Sequence, residues 1–307
     1  MSRPAEAPAL AALADDRRRG AAEIAGRLLE WADRWSDGEP GSLDEVAVGL
    51  TGLARSQAAL APVLRVANDL LVELERREGG DERSIRRGFG AVADRWRERL
   101  TAASETLVVH AIRSLQGVRT VYTYSASSTV RSALLTYMDA GGWFQVVLSE
   151  ARPGGEGARL AMELAERGIP VRLGVDGWLW GALEEEGLFM VGADALLPTA
   201  WVNKVGTAAL AARARSVGIP VIACADTSKW LPPTLAALPR VYERDPAEIV
   251  FRPPPSLEAV NVYFEDLPYT ALDKLVTERG VTRPQDLRTS EVEVARALVT
   301  APGVART

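Results

Sequence analysis

At 307 residues, 47% hydrophobic and 25% charged, the chain has the length of roughly two domains and the composition of an ordinary globular protein. Its net charge of −5 argues against a direct nucleic-acid binder relying on a broad positive field, leaving only the local Arg17-Arg18-Arg19 and Arg86-Arg87 clusters. The single cysteine, Cys224, rules out an intrachain disulfide and a Cys-rich zinc site and fits a reducing, cytoplasmic home; no apolar run of about 18 residues exists to span a membrane.

The Ala-rich start has a short apolar part followed by Asp15-Asp16, unlike a signal peptide. From about residue 5 to 114, apolar residues recur at helical spacing, as in Ile24, Leu28, Leu29 and Trp31, then Val46, Leu50 and Leu53, then Leu60, Val63 and Leu64. Loop-like breaks fall at Asp37-Gly38-Glu39-Pro40-Gly41 and Gly79-Gly80-Asp81. These features predict an all-helical N-terminal domain over residues 1–114.

Over residues 115–307 the pattern changes. Short apolar runs at 118–123, 144–148, 171–175, 188–191 and 221–225 read as strands, and 129–138, 156–167, 178–186 and 207–217 as helices between them. Such alternation predicts an α/β domain with a mostly parallel sheet and helices on both faces. Gly168-Ile169-Pro170 and Gly218-Ile219-Pro220 each read as a helix C-cap glycine and a proline leading into the next strand.

In an open α/β sheet the chemistry collects beyond the C-terminal ends of the strands. The strand at 188–191 delivers Asp194 there, and a loop then leads to Asn203-Lys204 and the Gly206-Thr207 helix start. Ammonium and amide beside a helix start suit an anionic, hydroxylated ligand, whereas the plain alternative is a strand capped by a loop Asp and a solvated Lys. After the first strand, Ser125, Ser127, Ser128 and Thr129 lie within five positions of a helix start, more hydroxyls than one N-cap needs. The loop Ser149-Glu150-Ala151-Arg152-Pro153-Gly154-Gly155-Glu156-Gly157 presents Arg152, whose guanidinium forks onto phosphate. Its glycines do not form the G-x-G-x-x-G fingerprint, so no nucleotide cofactor is expected, nor any metal. Asp176-Gly177-Trp178 brings another acid, and Ala223 to Lys229 a second lysine, to the same edge.

Ser149-Glu150-Ala151-Arg152-Pro153, Gly168-Ile169-Pro170-Val171, Gly192-Ala193-Asp194, Asn203-Lys204-Val205-Gly206-Thr207 and Thr277-Glu278-Arg279-Gly280-Val281 occur in the order of one superfamily. The chain resembles the alpha, beta and delta subunits of translation initiation factor 2B, together with methylthioribose-1-phosphate isomerase and ribose-1,5-bisphosphate isomerase. The resemblance implies a Rossmann-like C-terminal domain, a homodimer formed through it, and a phosphorylated sugar or nucleotide as ligand. It also gives Arg19-Gly20-Ala21 the place of a segment that contributes to substrate-phosphate binding in the isomerases.

The departures bear on catalysis. The isomerases carry Thr-His-Cys after the first strand, the thiol acting with the Asp of Gly-Ala-Asp as an acid/base pair. Here the positions read Thr123-Tyr124-Ser125. A thiol with a pKa of about 8.5 reaches its anion near neutral pH, while a serine hydroxyl needs an added base. Ser125-Ala126-Ser127-Ser128-Thr129-Val130 is closer to the serine-rich segment of the initiation-factor subunits, and Thr199-Ala200-Trp201 replaces a usual Asn-Gly turn. His110 and Cys224 read as packing or surface residues. Trp178, Trp180, Trp201 and Trp230 fall in or beside loops of the expected site edge, where each packs in the core or lines the ligand.

Three functions fit these residues. In an aldose–ketose isomerase, Asp194 carries a proton between adjacent carbons while Arg19, Arg152 and Lys204 hold phosphate and hydroxyls. In a non-catalytic initiation-factor-like subunit, the same groups only hold the ligand. A third form keeps the pocket with altered chemistry, in which Ser125 or Tyr124 contributes.

Overall fold

The computed structural model describes residues 8–16, 19–184, 186–287 and 292–299, so Arg17 and Arg18 lie outside the described residues. The chain forms two compact units. One holds the described residues of Met1–Ala102, Ser228–Val241 and Arg288–Thr307, the other Ala103–Thr227 and Tyr242–Leu287.

The first unit is helical: α1 (Pro8–Ala14), α2 (Ala21–Ser36), α3 (Leu43–Ser56), α4 (Ala61–Arg76) and the first part of α5 (Glu82–Leu115). α3 begins in a capping box, in which Ser42 Oγ accepts from Glu45 N and the Glu45 carboxylate accepts from Ser42 N. α4 is buried nearly all round, as its apolar run Val63, Leu64, Val66, Ala67, Leu70 and Leu71 requires. Two of the polar residues it carries inward reach main chain. Asn68 Nδ2 donates to Glu293 O at 2.8 Å and its Oδ1 accepts from Ala295 N at 3.0 Å, while Arg65 donates to Trp230 O at 2.9 Å. The expected boundary at 114/115 falls at the end of α5, whereas the compact units divide that helix after Ala102.

The second unit is α/β. Its seven-stranded sheet runs in the order β10-β9-β7-β4-β1-β2-β3, from β1 (Thr120–Thr123), β2 (Gln145–Ser149), β3 (Val171–Gly174), β4 (Leu188–Val191), β7 (Val221–Cys224), β9 (Lys274–Thr277) and β10 (Gly280–Thr282). All neighbouring pairs are parallel except β9 with β10. The crossover helices α6 (Ser128–Asp139), α7 (Glu156–Glu166) and α8 (Asp176–Ala182) follow β1, β2 and β3, and α9 (Thr207–Ser216) precedes β7. Val121, Val146, Leu148 and Met190 of the sheet pack with Val130, Leu134, Leu160 and Leu164 of α6 and α7, and with Leu107, Ala111 and Leu115 of α5. The four crossover helices and the five strands β1, β2, β3, β4 and β7 are those the periodicity predicts, while β9 and β10 extend the sheet beyond the expected strands. α8 starts two residues earlier than expected, because Asp176 itself opens it, and ends at Ala182 rather than 186.

One element is new. β5 (Ala195–Leu196), β6 (Ala200–Lys204) and β8 (Phe264–Pro268) form a separate antiparallel sheet in the order β5-β6-β8. Asn203 and Lys204 therefore sit on a strand rather than on the expected loop, held in register against Glu265 and Phe264. The hairpin at Pro198-Thr199 and the polar residues in β6 and β8 hide this sheet from an apolar-run reading.

Candidate functional site

Because β1, β2, β3, β4 and β7 are parallel, their C-terminal ends share one edge, and each delivers a loop there. After β1, Tyr124 turns inward and its hydroxyl donates to Val205 O at 2.8 Å. Ser125 follows at φ 62°, a left-handed conformation that a non-glycine residue adopts at some cost. Ser127 caps α6 by accepting from Val130 N. Its side chain also lies against Gly192: a Cβ at that glycine would stand 2.5 Å from Ser127 Oγ, so the β1 and β4 loops touch only because residue 192 has no side chain. Gly192→Ala is expected to lower stability by about 1–3 kcal/mol, read by urea denaturation, with much of the loss recovered in the Ser127→Gly background.

The β2 and β3 loops are tied by one carboxylate. Asp176 accepts from Ala151 N at 2.9 Å and Arg152 N at 2.8 Å, which fixes the turn at Ala151, itself at φ 59°. Asp176 thus braces the loop that carries the exposed Arg152 side chain. The first amides of α7 are spent internally, Gly157 N and Ala158 N both donating to Glu150 O.

Asp194 is half-buried after β4, and its N–H donates to Val202 O at 2.8 Å, so β6 fixes its position. On β6 the neighbouring side chains of Asn203 and Lys204 take different partners. Asn203 Nδ2 donates to Thr207 Oγ1 at 3.1 Å, and that hydroxyl donates to Lys204 O at 2.6 Å, closing the turn into α9. Lys204 is only 3% exposed. Its Nζ lies 3.2 Å from Glu156 Oε1 and 3.8 Å from the centroid of the Tyr263 ring. Burial pushes its pKa below the ordinary lysine value, and the charges of Glu156, Asp194 and Asp176 oppose that. Tyr124 moves the other way: burial first, then Asp176, Glu156 and Glu265, push its pKa up, so its hydroxyl stays protonated and acts as a donor.

Ser125, Ser127, Ser128, Arg152, Asp194, Asn203 and Lys204 all belong to the sheet unit and follow or flank the strands of this edge. Arg19, Gly20 and Ala21 belong to the helical unit, where Gly20 is the N-cap and Ala21 the first residue of α2. Arg19 is paired there with Asp16 and with Glu23 at 2.7 Å. Ser228 and Lys229 fall in the helical unit. The tryptophans divide: Trp201 is fully buried, Trp230 is buried in the helical unit, Trp178 lies under Arg172, and Trp180 is 52% exposed. Trp201 and Trp230 are core residues. Cys224 is buried on β7, and His110 lies on α5 beside Arg113.

Three contributors carry no sequence signal of their own. Glu156 is the first residue of α7, where an acid is favoured in any helix. Tyr263 precedes β8, and Glu265 on β8 accepts from Ala208 N at 2.8 Å, occupying the start of α9 that the sequence offers to a ligand anion. Among the described residues no group of acids, histidines and cysteines is arranged to hold a metal ion, and no helix is long and apolar enough to cross a membrane.

Comparison with known proteins places this geometry. The chain is 33% identical over 171 residues to ribose 1,5-bisphosphate isomerase of Pyrococcus furiosus, covering 53% of each chain. It is 38% identical over 159 residues to methylthioribose-1-phosphate isomerase of Azotobacter vinelandii, covering 48% of this chain and 44% of that one. A longer match, 27% over 309 residues, covers 93% of the chain and 94% of ribose 1,5-bisphosphate isomerase of Haloterrigena turkmenica. The chain thus spans about half the length of the first of these relatives in its best-matching stretch. The fold is that of the translation initiation factor eIF-2B structure from Pyrococcus horikoshii, with TM-score 0.78, 23% identity, and 92% and 98% of the two chains covered. Residues 55–284, most of the chain and the whole of the edge described above, match one family, and the protein belongs to it: the Initiation factor 2 subunit family.

Proposed function

We propose that the protein binds a phosphorylated sugar at the C-terminal edge of its parallel sheet and interconverts aldose and ketose forms there. The observation that carries this reading is the placement of Asp194: a carboxylate pinned through its own amide to β6 and acting electrostatically on the buried Lys204 ammonium. A carboxylate so held accepts a proton from one carbon and returns it to the neighbouring carbon, while the cation steadies charge developing on oxygen. Ser127, Ser128 and Arg152 hold the phosphate; Asn203 shapes the turn that presents Lys204. A homodimer formed through the α/β unit, in a reducing cytoplasmic setting, completes the proposal. A strict monomer by light scattering at micromolar concentration contradicts the assembly.

The alternative is a non-catalytic subunit that only holds the ligand. It is favoured by the β1 loop, where Ser125 stands after a tyrosine whose hydroxyl is committed to Val205 O. Neither supplies a second acid/base group near neutral pH. Carbon NMR of sugar phosphates incubated with the protein separates the two readings: new ketose signals mean turnover, unchanged spectra with binding mean a subunit.

Binding itself is tested by thermal shift. A sugar phosphate at a hundred times its dissociation constant stabilises the fold by about 2.7 kcal/mol. Arg152→Ala removes a charge-assisted bond worth about 1.5–3 kcal/mol and is expected to erase most of the shift while leaving the ligand-free melting point near wild type. A shift unchanged in Arg152→Ala removes that residue from the phosphate site.

A further inference from the structure

The lysine on this edge already has a counter-ion. Lys204 is buried with Glu156 Oε1 at 3.2 Å, and the charges of Asp194 and Asp176 also favour its protonated form, so its surroundings are already acidic. A phosphate dianion brought to Lys204 meets these charges, and in low dielectric such like-charge approach outweighs attraction to a cation that has its own counter-ion. Glu156 has a second feature: its Oε2 is buried and has no hydrogen-bond partner among the described residues. A carboxylate oxygen in that state calls for a donor, and a sugar hydroxyl is one whereas a phosphate dianion is not. Glu156 is held in place by its position at the start of α7 and by Gly154, whose missing side chain leaves room for the folded-back carboxylate at 2.5 Å from an added Cβ. Arg152, exposed on the loop whose amide is bonded to Asp176, and the start of α6 at Ser127-Ser128 offer a guanidinium and hydroxyls, with no carboxylate in the segment from Ser125 to Thr129.

We propose that Glu156 is a specificity-determining residue that reserves the Lys204 end of the site for a ligand hydroxyl, so that the ligand is a sugar phosphomonoester and a bisphosphate is rejected. The inference rests on the sugar-phosphate reading above and adds a polarity to it: phosphate toward Arg152 and α6, hydroxyls toward Glu156 and Lys204. It also separates this chain from the relatives whose names state a bisphosphate substrate. The class of reaction supplying the ligand is then one that yields a singly phosphorylated sugar.

The test is calorimetric titration of wild type and Glu156→Gln with ribose 1-phosphate, ribose 5-phosphate and ribose 1,5-bisphosphate. Wild type is expected to bind the better monophosphate on the order of tenfold or more tightly than the bisphosphate, and Glu156→Gln to narrow or reverse that ratio, because glutamine keeps an acceptor and loses the charge. Wild type binding the bisphosphate as tightly as either monophosphate, or a ratio unmoved by the substitution, overturns the role of Glu156 while leaving sugar-phosphate binding intact. No binding of any of the three to either protein defeats the sugar-phosphate reading itself and this inference with it. Should Glu156→Gln not fold, the wild-type ratio decides alone.

Discussion

Asp194→Asn is expected to lower turnover of a bound sugar phosphate by about 10²–10⁴-fold, the usual share of a positioned general acid/base group, while ligand affinity stays within a few-fold of wild type. The side chain sits on a residue whose N–H is bonded to Val202 O, so the near-isosteric amide keeps the place of the carboxylate and loses only its ability to take a proton. Loss of the negative charge also removes one of the influences that hold the Lys204 proton against burial. The pH profile of affinity is therefore expected to shift on the alkaline side, with Lys204 losing its proton at lower pH in the variant. Steady-state kinetics together with ligand titration read both effects. Turnover equal to wild type in Asp194→Asn removes this residue from the chemistry and leaves the ligand-holding reading.

Gly157→Ala is expected to cause the largest loss of stability at the site, about 3 kcal/mol or more, at the upper end of overpacking costs. The added Cβ would run into the carbonyl oxygen of Ser149, inside van der Waals contact, and would also crowd the Glu150 carbonyl carbon. These are main-chain atoms at and just after the end of β2, so no side-chain rotation relieves the clash. Either β2 or the first turn of α7 must move, and with it the Gly157 N and Ala158 N bonds to Glu150 O. Glu156 and Arg152 flank this contact, so affinity for ligand falls along with the melting temperature. Urea denaturation gives the first effect and titration the second. A fully stable Gly157→Ala protein would contradict the close packing of α7 on β2.

Much of this was legible in the sequence, for physical reasons that differ by element. The strand 188–191 is a fully buried parallel strand, so its apolar run is continuous and its end at Asp194 is marked by Gly192. Ser127 and Asp176 sit where helix starts place such residues in general, and both prove to be helix-start residues. What remained hidden is the pairing of polar groups. Lys204 and its partner Glu156 are 48 residues apart in the chain, and the ring that covers Lys204 belongs to Tyr263 on a segment without strand-like alternation. Asn203 looks like a ligand-binding amide until Thr207 is seen to take its donor. The start of α9 looks open to an anion until Glu265 is found on it. In each case a polar group that reads as open to ligand takes a protein partner, from α7, from the first residue of α9 or from β8, and such pairing leaves no periodic trace in a single sequence.

The central claim is that a phosphorylated sugar binds at the C-terminal edge of the parallel sheet. Amide hydrogen exchange measured with and without saturating ribose 5-phosphate tests it most directly. The expected result is slowed exchange in the peptides around Ser125 to Arg131, Ala151 to Gly157 and Gly192 to Asp194, with the rest of the α/β unit unchanged. Bound ligand with protection confined to other segments, or none at these three loops, would contradict it.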